Sequence, residues 1–436
     1  KKTEIEALKK WLKDKFPAFV DYITHLDIPE GGQNGENDAS YPKYAPDQLF
    51  STGSITYHGQ SIGLVVAETE NDANNIAAYL RENCIGYKLS KEDVVLTIKE
   101  VLTHYNKYNK SDKYFFPGYT KDDNHQIKNP KFQSEWALND TPEKVFTKLK
   151  HETQTLDGER CDVVAGVQQT GAQIHFYMET QSVLAIPGEH KEIVIHSSTQ
   201  SPNSVQENVA KTLNVSENKV SVIVKRLGGA YGGKCTRTPY VASAAAIVAK
   251  KLNLAIRIAL PRETDSEMIG KRHPMVGSWN IAVVKDGANK GKIKRSYTNF
   301  YSNGGNTKDC SFDVLDCSIL GSDNAYKVDT FFAKGNICKT NLASNTAMRS
   351  YGGVQAGIIM EEAIEAAAHK IGMLPETLRE KNLYEMGDTT PFGQVLDYCL
   401  MPEVWKRLKR TSDFDRRVKE IEKFNKENQW KKRGIS

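Results

Sequence analysis

The chain has 436 residues, of which 39% are apolar and 26% charged, with 31 Gly and 15 Pro. That is the composition of a globular protein of about two to four domains, and it excludes collagenous, disordered and disulfide-scaffold classes. The net charge of +5 sits in one place, because residues 405–433 hold 12 Lys/Arg against 5 Asp/Glu and leave the rest near neutral.

In chain order, residues 1–16 place Ile5, Leu8, Leu12 and Phe16 on one helical face, and Pro17 stops it. Residues 28–50 are turn-rich. The run 54–69 reads as two strands about Gly59, and 71–83 as a helix capped by Asn71. Strands are expected at 85–90 and 94–98, then a helix to about 105, which makes residues 17–105 a first α+β unit. Residues 106–130 are a polar connector, and 131–436 form the second unit. There the spacing predicts strands at 172–186, 191–197 and 220–227, with helices at 202–213 (Pro202 first, Ser201 as cap), 241–252 and 356–372. The basic tail carries Trp405, Phe414, Phe424 and Trp430, yet its interleaved acids and the Val418–Ile421 spacing read as a solvated helix face. Neither nucleic acid nor a membrane is expected as partner. No apolar run approaches the roughly 18 residues of a spanning helix. The first residues, Lys1-Lys2-Thr3-Glu4, lack an initiator Met and a signal-peptide apolar stretch, so the start reads as a cut from something longer. Cys84, Cys161, Cys235, Cys310, Cys317, Cys338 and Cys399 are scattered without any Cys-x-x-Cys. They read as reduced cytoplasmic thiols, not as disulfides, zinc ligands or iron–sulfur ligands.

The turn Gly228-Gly229-Ala230-Tyr231-Gly232-Gly233-Lys234 lies between an apolar strand and an Ala-rich helix. Its paired glycines allow an anion or a cofactor oxygen to approach the main chain, as a cradle at a helix N-terminus. A sharp connection with no ligand explains the same residues. Gly228-x4-Gly233-Lys234 also fits most of a nucleotide-hydrolase P-loop, but Cys235 stands where a Ser or Thr would meet Mg²⁺, and no apolar strand ends in the required Asp.

Three further stretches bear on the choice: Gly171-Ala172-Gln173-Ile174-His175-Phe176-Tyr177-Met178-Glu179-Thr180, Ser198-Thr199-Gln200-Ser201-Pro202, and 339–355 with Arg349 before Gly352-Gly353. In this order, with YHGQSIGLVVAE (57–68), TDSEMIGKRHP (264–274), TLREKNLYEMGD (377–388) and KFNKENQWKKRG (423–434), they resemble the molybdenum hydroxylases, the xanthine dehydrogenase and aldehyde oxidase family. The resemblance implies an α+β fold in which a small α/β hammerhead domain (17–105) precedes a mixed α+β molybdopterin-binding domain, of which only the first half is present. It implies a molybdenum–molybdopterin cofactor, a homodimer, and an aldehyde or heterocycle as substrate. Gln173 matches the amide that donates to a molybdenum oxo ligand, a task suited to a neutral donor. Gly229, Tyr231 and Gly232 match the turn beside the pterin, and Arg349 the guanidinium at the cofactor's edge. Ala347 matches a small residue that leaves room for substrate, and Tyr351 an aromatic that flanks it; a core tyrosine would look the same.

Purine-oxidising members carry a Glu where this chain has Cys235, an Arg where it has Cys317, and a Phe where it has Met348. The resemblance therefore implies an aldehyde or apolar N-heterocycle rather than xanthine. A metal pair of Cys235 and Cys317 is not expected, since no His neighbours either. The family's general-base motif, its iron–sulfur cysteines and its flavin domain have no counterpart in these residues. The expectation is a piece of such an enzyme, inactive alone, with iron–sulfur centres and FAD coming only from a longer chain or partner; a non-catalytic, dimerising remnant is the alternative.

Overall fold

The computed structural model describes residues 2–35, 47–107, 112–116, 126–128 and 152–435. Much of the turn-rich stretch 28–50 and of the connector 106–130 lies outside the described residues. Among the described residues the strands form three open sheets, of two, six and four strands.

A small unit opens the chain. Helix α1 (Lys2–Lys15) packs Leu12 against β1 (Phe19–Ile23) and α2 (Glu70–Asn83), and β1 pairs antiparallel with β2 (Leu64–Ala67). This unit therefore gathers residues on the N-terminal side of 17. Thr69, not Asn71, caps α2, its hydroxyl accepting from Asp72 N at 3.2 Å. Of the strands expected at 54–69 only β2 forms, and those at 85–90 and 94–98 do not form at all. Tyr87, Leu89 and Val94 are exposed and find no neighbouring strand, and an unpaired ladder edge gains nothing from β conformation. Helix α3 (Ile98–Lys107) and residues 114–116 instead pack onto the large sheet against Val276, Tyr301 and Cys338.

The large sheet holds β3 (Gln126–Lys128), β4 (Glu152–Leu156), β5 (Glu159–Thr170), β10 (Met275–Val284), β11 (Ile293–Gly305) and β12 (Thr330–Lys339). All its pairs are antiparallel except β11 with β12, which α7 (Ser311–Leu320) connects as a crossover. Helix α8 (Gly353–Ile371) lies across β5 and β10, so closely that a Cβ on Gly277 would run into the Ile359 side chain.

The smaller sheet, β6 (Ser182–Pro187), β7 (Ile193–Ser197), β8 (Val220–Ile223) and β9 (Ile256–Ala259), is covered by α4 (Pro202–Leu213) and α5 (Thr238–Leu252). Pro202 starts α4 as expected and Asn214 closes it in left-handed conformation, but the Ser201 hydroxyl turns to Ser204 Oγ (2.8 Å) instead of capping. The Ala-rich α5 lets its backbone settle onto β6, with Ala242, Ala245 and Ala249 fully buried. Short α6 (Arg262–Met268) and α9 (Pro375–Asn382) precede the tail helices α10 (Met401–Thr411) and α11 (Phe414–Glu427). In the tail, Trp405 packs on the core while Val418 and Ile421 are half-buried. Among the described residues, no helix is long and apolar enough to cross a membrane.

Candidate functional site

Residues 173–181 run without regular structure and alternate in burial. His175, Tyr177 and Gln181 point in, while Ile174, Phe176 and Met178 are 45%, 67% and 87% exposed. The inward set forms the floor beneath the glycine turn. Lys234 is fully buried there, its Nζ donating to Glu179 Oε2 (2.9 Å) and Ser198 Oγ (2.8 Å) and lying 4.8 Å from the Tyr177 ring centre. Glu179 also accepts from Gly228 N at 2.9 Å and from Ser198 Oγ. Burial pushes the Glu179 carboxyl up, but Ser198, the Gly228 amide and Lys234 outweigh it and hold the pKa at about 2. Gln181 Nε2 donates to Gly233 O (2.8 Å), and the Tyr177 hydroxyl to Asp265 Oδ1 (3.1 Å).

A second turn meets the first edge to edge. Arg349 N donates to Tyr231 O (3.0 Å), and a Cβ on Gly232, whose φ is +103°, would collide with the Ala347 carbonyl. His175 Nε2 lies 2.7 Å from that same carbonyl, which can only accept, so this nitrogen carries the proton; burial lowers the ring's pKa and favours the neutral form. Below, Arg237 is sandwiched between Asp47 and Asp309, both buried, and Asp309 also accepts from Thr236 and from Thr346 (2.8 Å each). Phe176, Tyr231, Ser350 and Tyr351 have φ of 46°, 52°, 76° and 42°. Left-handed backbone at such residues costs on the order of 1–3 kcal/mol each and persists where the surroundings over-determine it.

Gln173, Gly229, Tyr231, Gly232, Ala347, Met348 and Arg349 are thus brought into one neighbourhood. Gln173 joins through Arg272, whose Nε donates to Gln173 Oε1 and whose main-chain N donates to Gln173 O, each at 2.9 Å, while the adjacent Lys271 O accepts from Thr346 N. Ala347 and Met348 are buried; Tyr231 is 50% exposed. The Arg349 guanidinium is exposed and has no partner among the described residues. Tyr351 is half-buried against the core, its hydroxyl 3.4 Å from Asp313 Oδ2 on α7. Cys317 is on the same outer face of α7 and Cys235 is half-buried in the first turn; burial raises both thiol pKa values, aided by Asp313 and Asp316 or by Asp309. No group of His, Cys, Asp and Glu able to hold a metal ion occurs among the described residues.

Two expectations change. The loop is not at a helix N-terminus, since α5 begins at Thr238 and Lys234–Arg237 intervene. Nor does Lys234 reach up to a phosphate, because Glu179 and Ser198 hold it underneath. Gln200 Oε1 accepts from the Gly232 and Lys234 amides, which leaves the N–H groups of Gly229, Ala230 and Tyr231 without an acceptor among the described residues. Three unengaged amides beside a free guanidinium suit an oxygen-rich group such as a pterin cofactor. Sequence reasoning missed the floor itself: the alternation of His175, Tyr177, Glu179 and Gln181 was a signal for it, whereas nothing marked Asp47 or Asp309.

The family model "Molybdopterin cofactor-binding domain" matches residues 138–383, and "Aldehyde oxidase and xanthine dehydrogenase, a/b hammerhead domain" matches 2–81. The chain is 34% identical over 97% of its length to xanthine dehydrogenase of Dictyostelium discoideum, and 36% identical over 97% to aldehyde oxidase 2 of Macaca fascicularis. It spans 28% of each of those relatives. In fold it is similar to the aldehyde oxidoreductase of Desulfovibrio gigas (TM-score 0.74, 19% identity, 97% of this chain and 42% of that one). Quinoline 2-oxidoreductase of Pseudomonas putida 86 is similar too (TM-score 0.72, 17% identity, 94% and 49%). The shared sheets, the meeting of the two turns and these matches have one explanation: the chain belongs to the xanthine dehydrogenase and aldehyde oxidase family, and carries its molybdopterin cofactor-binding domain.

Proposed function

We propose that the face built by Gln173, the Gly229–Gly232 turn and Ala347–Tyr351 forms one side of a molybdenum-cofactor site in an enzyme that oxidises an aldehyde or an apolar N-heterocycle. The observation that carries this is the joining of the two turns through Arg349 N and Tyr231 O, with Gln173 attached at their edge by Arg272. The amides of Gly229, Ala230 and Tyr231 and the Arg349 guanidinium would hold the cofactor's oxygen-rich edge, and the Gln173 amide would donate to the metal's oxo ligand. When bound, the cofactor supplies the oxidation, with transfer of water oxygen to a C–H carbon. Glu179 is no candidate base, since Lys234, Ser198 and the Gly228 amide already use its carboxylate. The substrate side would be Cys235, Cys317, Ala347, Met348 and Tyr351. Neutral thiols and a thioether offer a purine no charge-assisted hydrogen bond, which favours the less polar substrate.

To test this, the chain is purified from a host that makes the cofactor, and molybdenum and oxidised pterin are measured. Substoichiometric retention is expected, falling about tenfold in Gln173→Leu and in Arg349→Met with the fold intact. Equal retention in wild type and both variants overturns the site. Near-equimolar molybdenum with steady dye-coupled aldehyde oxidation by the chain alone overturns the one-sided site. In any assembly that turns over, little xanthine oxidation is expected until Cys235→Glu and Cys317→Arg are combined.

A further inference from the structure

Arg272 is only 7% exposed, yet among the described residues no carboxylate pairs with it. Its Nε–H donates to Gln173 Oε1, its main-chain N–H donates to Gln173 O, and its NH1, also buried, has no hydrogen-bond partner among the described residues. Burial alone pulls its pKa down. A buried cation without an anion is costly, and a Glu at 173 would relieve it. An uncharged amide stands there instead.

A side-chain amide has two ends that differ in a single respect: the oxygen accepts and the nitrogen donates. A guanidinium carries only donors, so it tolerates the oxygen end and repels the NH2 end. Gln173 itself is exposed, and an exposed glutamine otherwise samples both senses freely. We propose that Arg272 is a positioning residue that holds the Gln173 amide with its oxygen inward, so that its NH2 group is presented as a donor at the edge of the site where the two turns meet. The main-chain bond between residues 272 and 173 fixes the base of both side chains, so a single Nε–H suffices to choose the sense. A Glu would pair better with Arg272 but would bring acceptors and a negative charge to that edge. This rests on the reading of Gln173 as an amide donor to the cofactor, and asks what makes it one.

The test uses the full chain labelled with ¹⁵N-glutamine. The Gln173 side-chain signal is the one lost in Gln173→Leu, and Gln429, exposed in the tail, serves as the mobile reference. In the wild type, the Gln173 NH2 is expected near the order parameter of rigid backbone, about 0.85, falling below about 0.6 in Arg272→Met. Arg272→Lys, which keeps a donor, should restore part of the order. An Arg272 that only fills space would leave the Gln173 amide order unchanged in Arg272→Met. The proposal is overturned if the wild-type amide is as mobile as that of Gln429, or if it stays ordered in a folded Arg272→Met. Should that variant not fold, the wild-type order and Arg272→Lys decide. An amide ordered by Arg272 together with unchanged cofactor retention in Gln173→Leu would overturn the cofactor role of Gln173 and leave the orientation standing.

Discussion

The floor and the rim of the site are built on opposite terms. On the floor, Lys234 and Glu179, Arg237 with Asp47 and Asp309, and Tyr177 with Asp265 are matched and largely buried. On the rim, Gln173, Tyr231 and Arg349 are exposed, and the guanidinium of Arg349 and the amides of Gly229–Tyr231 have no partner among the described residues. The floor spends its hydrogen-bonding capacity on the protein; the rim keeps its capacity for something else. That division explains how backbone at Phe176, Tyr231, Ser350 and Tyr351 stays in a left-handed conformation while the adjacent donors remain free. It also separates what substitutions should do: floor variants cost stability, and rim variants cost binding.

The largest effect should come from Arg237→Met. It would leave Asp47 and Asp309, 7% and 3% exposed at their side chains, with no cation between them. Removing one partner from a buried ion pair typically costs about 3–5 kcal/mol. Urea unfolding should show a loss of this size, and with it the tie between residue 47, the first turn and the second. A loss below about 1 kcal/mol would mean that the floor does not hold the turns in place.

Acid should destabilise the fold at two buried or ion-paired groups, His273 and Glu179. His273 is buried and its pKa is pulled from the ordinary 6.5 to about 4, by burial first and then by Arg272, against Asp309. Below pH 6.5 the unfolded chain takes up a proton that the folded chain refuses, so stability falls as pH drops from 6.5 towards 4. Glu179 continues the decline. Its folded pKa of about 2 lies below the ordinary 4.5, so its contribution is complete above 4.5 and is lost as pH falls towards 2. His273→Gln, which keeps a polar partner for Ser311 Oγ (2.8 Å in the wild type), isolates the upper window: the melting temperature of the wild type relative to this variant should fall as pH drops from 6.5 towards 4 and change little below that.

The rim was legible in the sequence because its residues stand in segments with local signals. Paired glycines mark a turn, and Gln173 and Arg349 lie in long motifs of fixed order. Helices with clear periodicity, such as α4 and α8, are read within a few residues. The central strands were not legible. β10 and β11 are buried on both faces, yet they carry Ser278, Asn280, Ser296, Thr298, Asn299 and Ser302, so neither alternation nor an apolar run betrays them. Their polar side chains lie inside a mixed sheet in which each strand also has a partner from farther along the chain, β5 for β10 and β12 for β11. The expected strands at 85–90 and 94–98 fail for the converse reason: β-forming residues without a sheet edge to join remain loop. The floor was hidden because its ion pairs span long distances in sequence, as Arg237 and Asp47 do, and spacing carries no trace of such a pair.

The smallest expected change separates floor from rim at a single position. Gln173→Glu places a carboxylate against the Arg272 Nε–H, and one of its oxygens can turn toward the unpaired NH1. A hydrogen bond to a charged group is worth about 1.5–3 kcal/mol, and the exposure of residue 173 screens part of it, so a gain of about 1 kcal/mol is expected. The sign follows from linkage: the pair depresses the new carboxyl's pKa, so the gain is present at neutral pH and disappears as pH falls below the ordinary carboxylate range. The same substitution removes the NH2 donor and adds a charge at the rim, so retained molybdenum should drop as in Gln173→Leu. A variant more stable than wild type and poorer in cofactor would mean that position 173 gives up stability for a neutral donor. If Gln173→Glu instead lowers the urea midpoint, Arg272 is not short of an anion, and the contrast between a satisfied floor and an open rim loses its link at this residue.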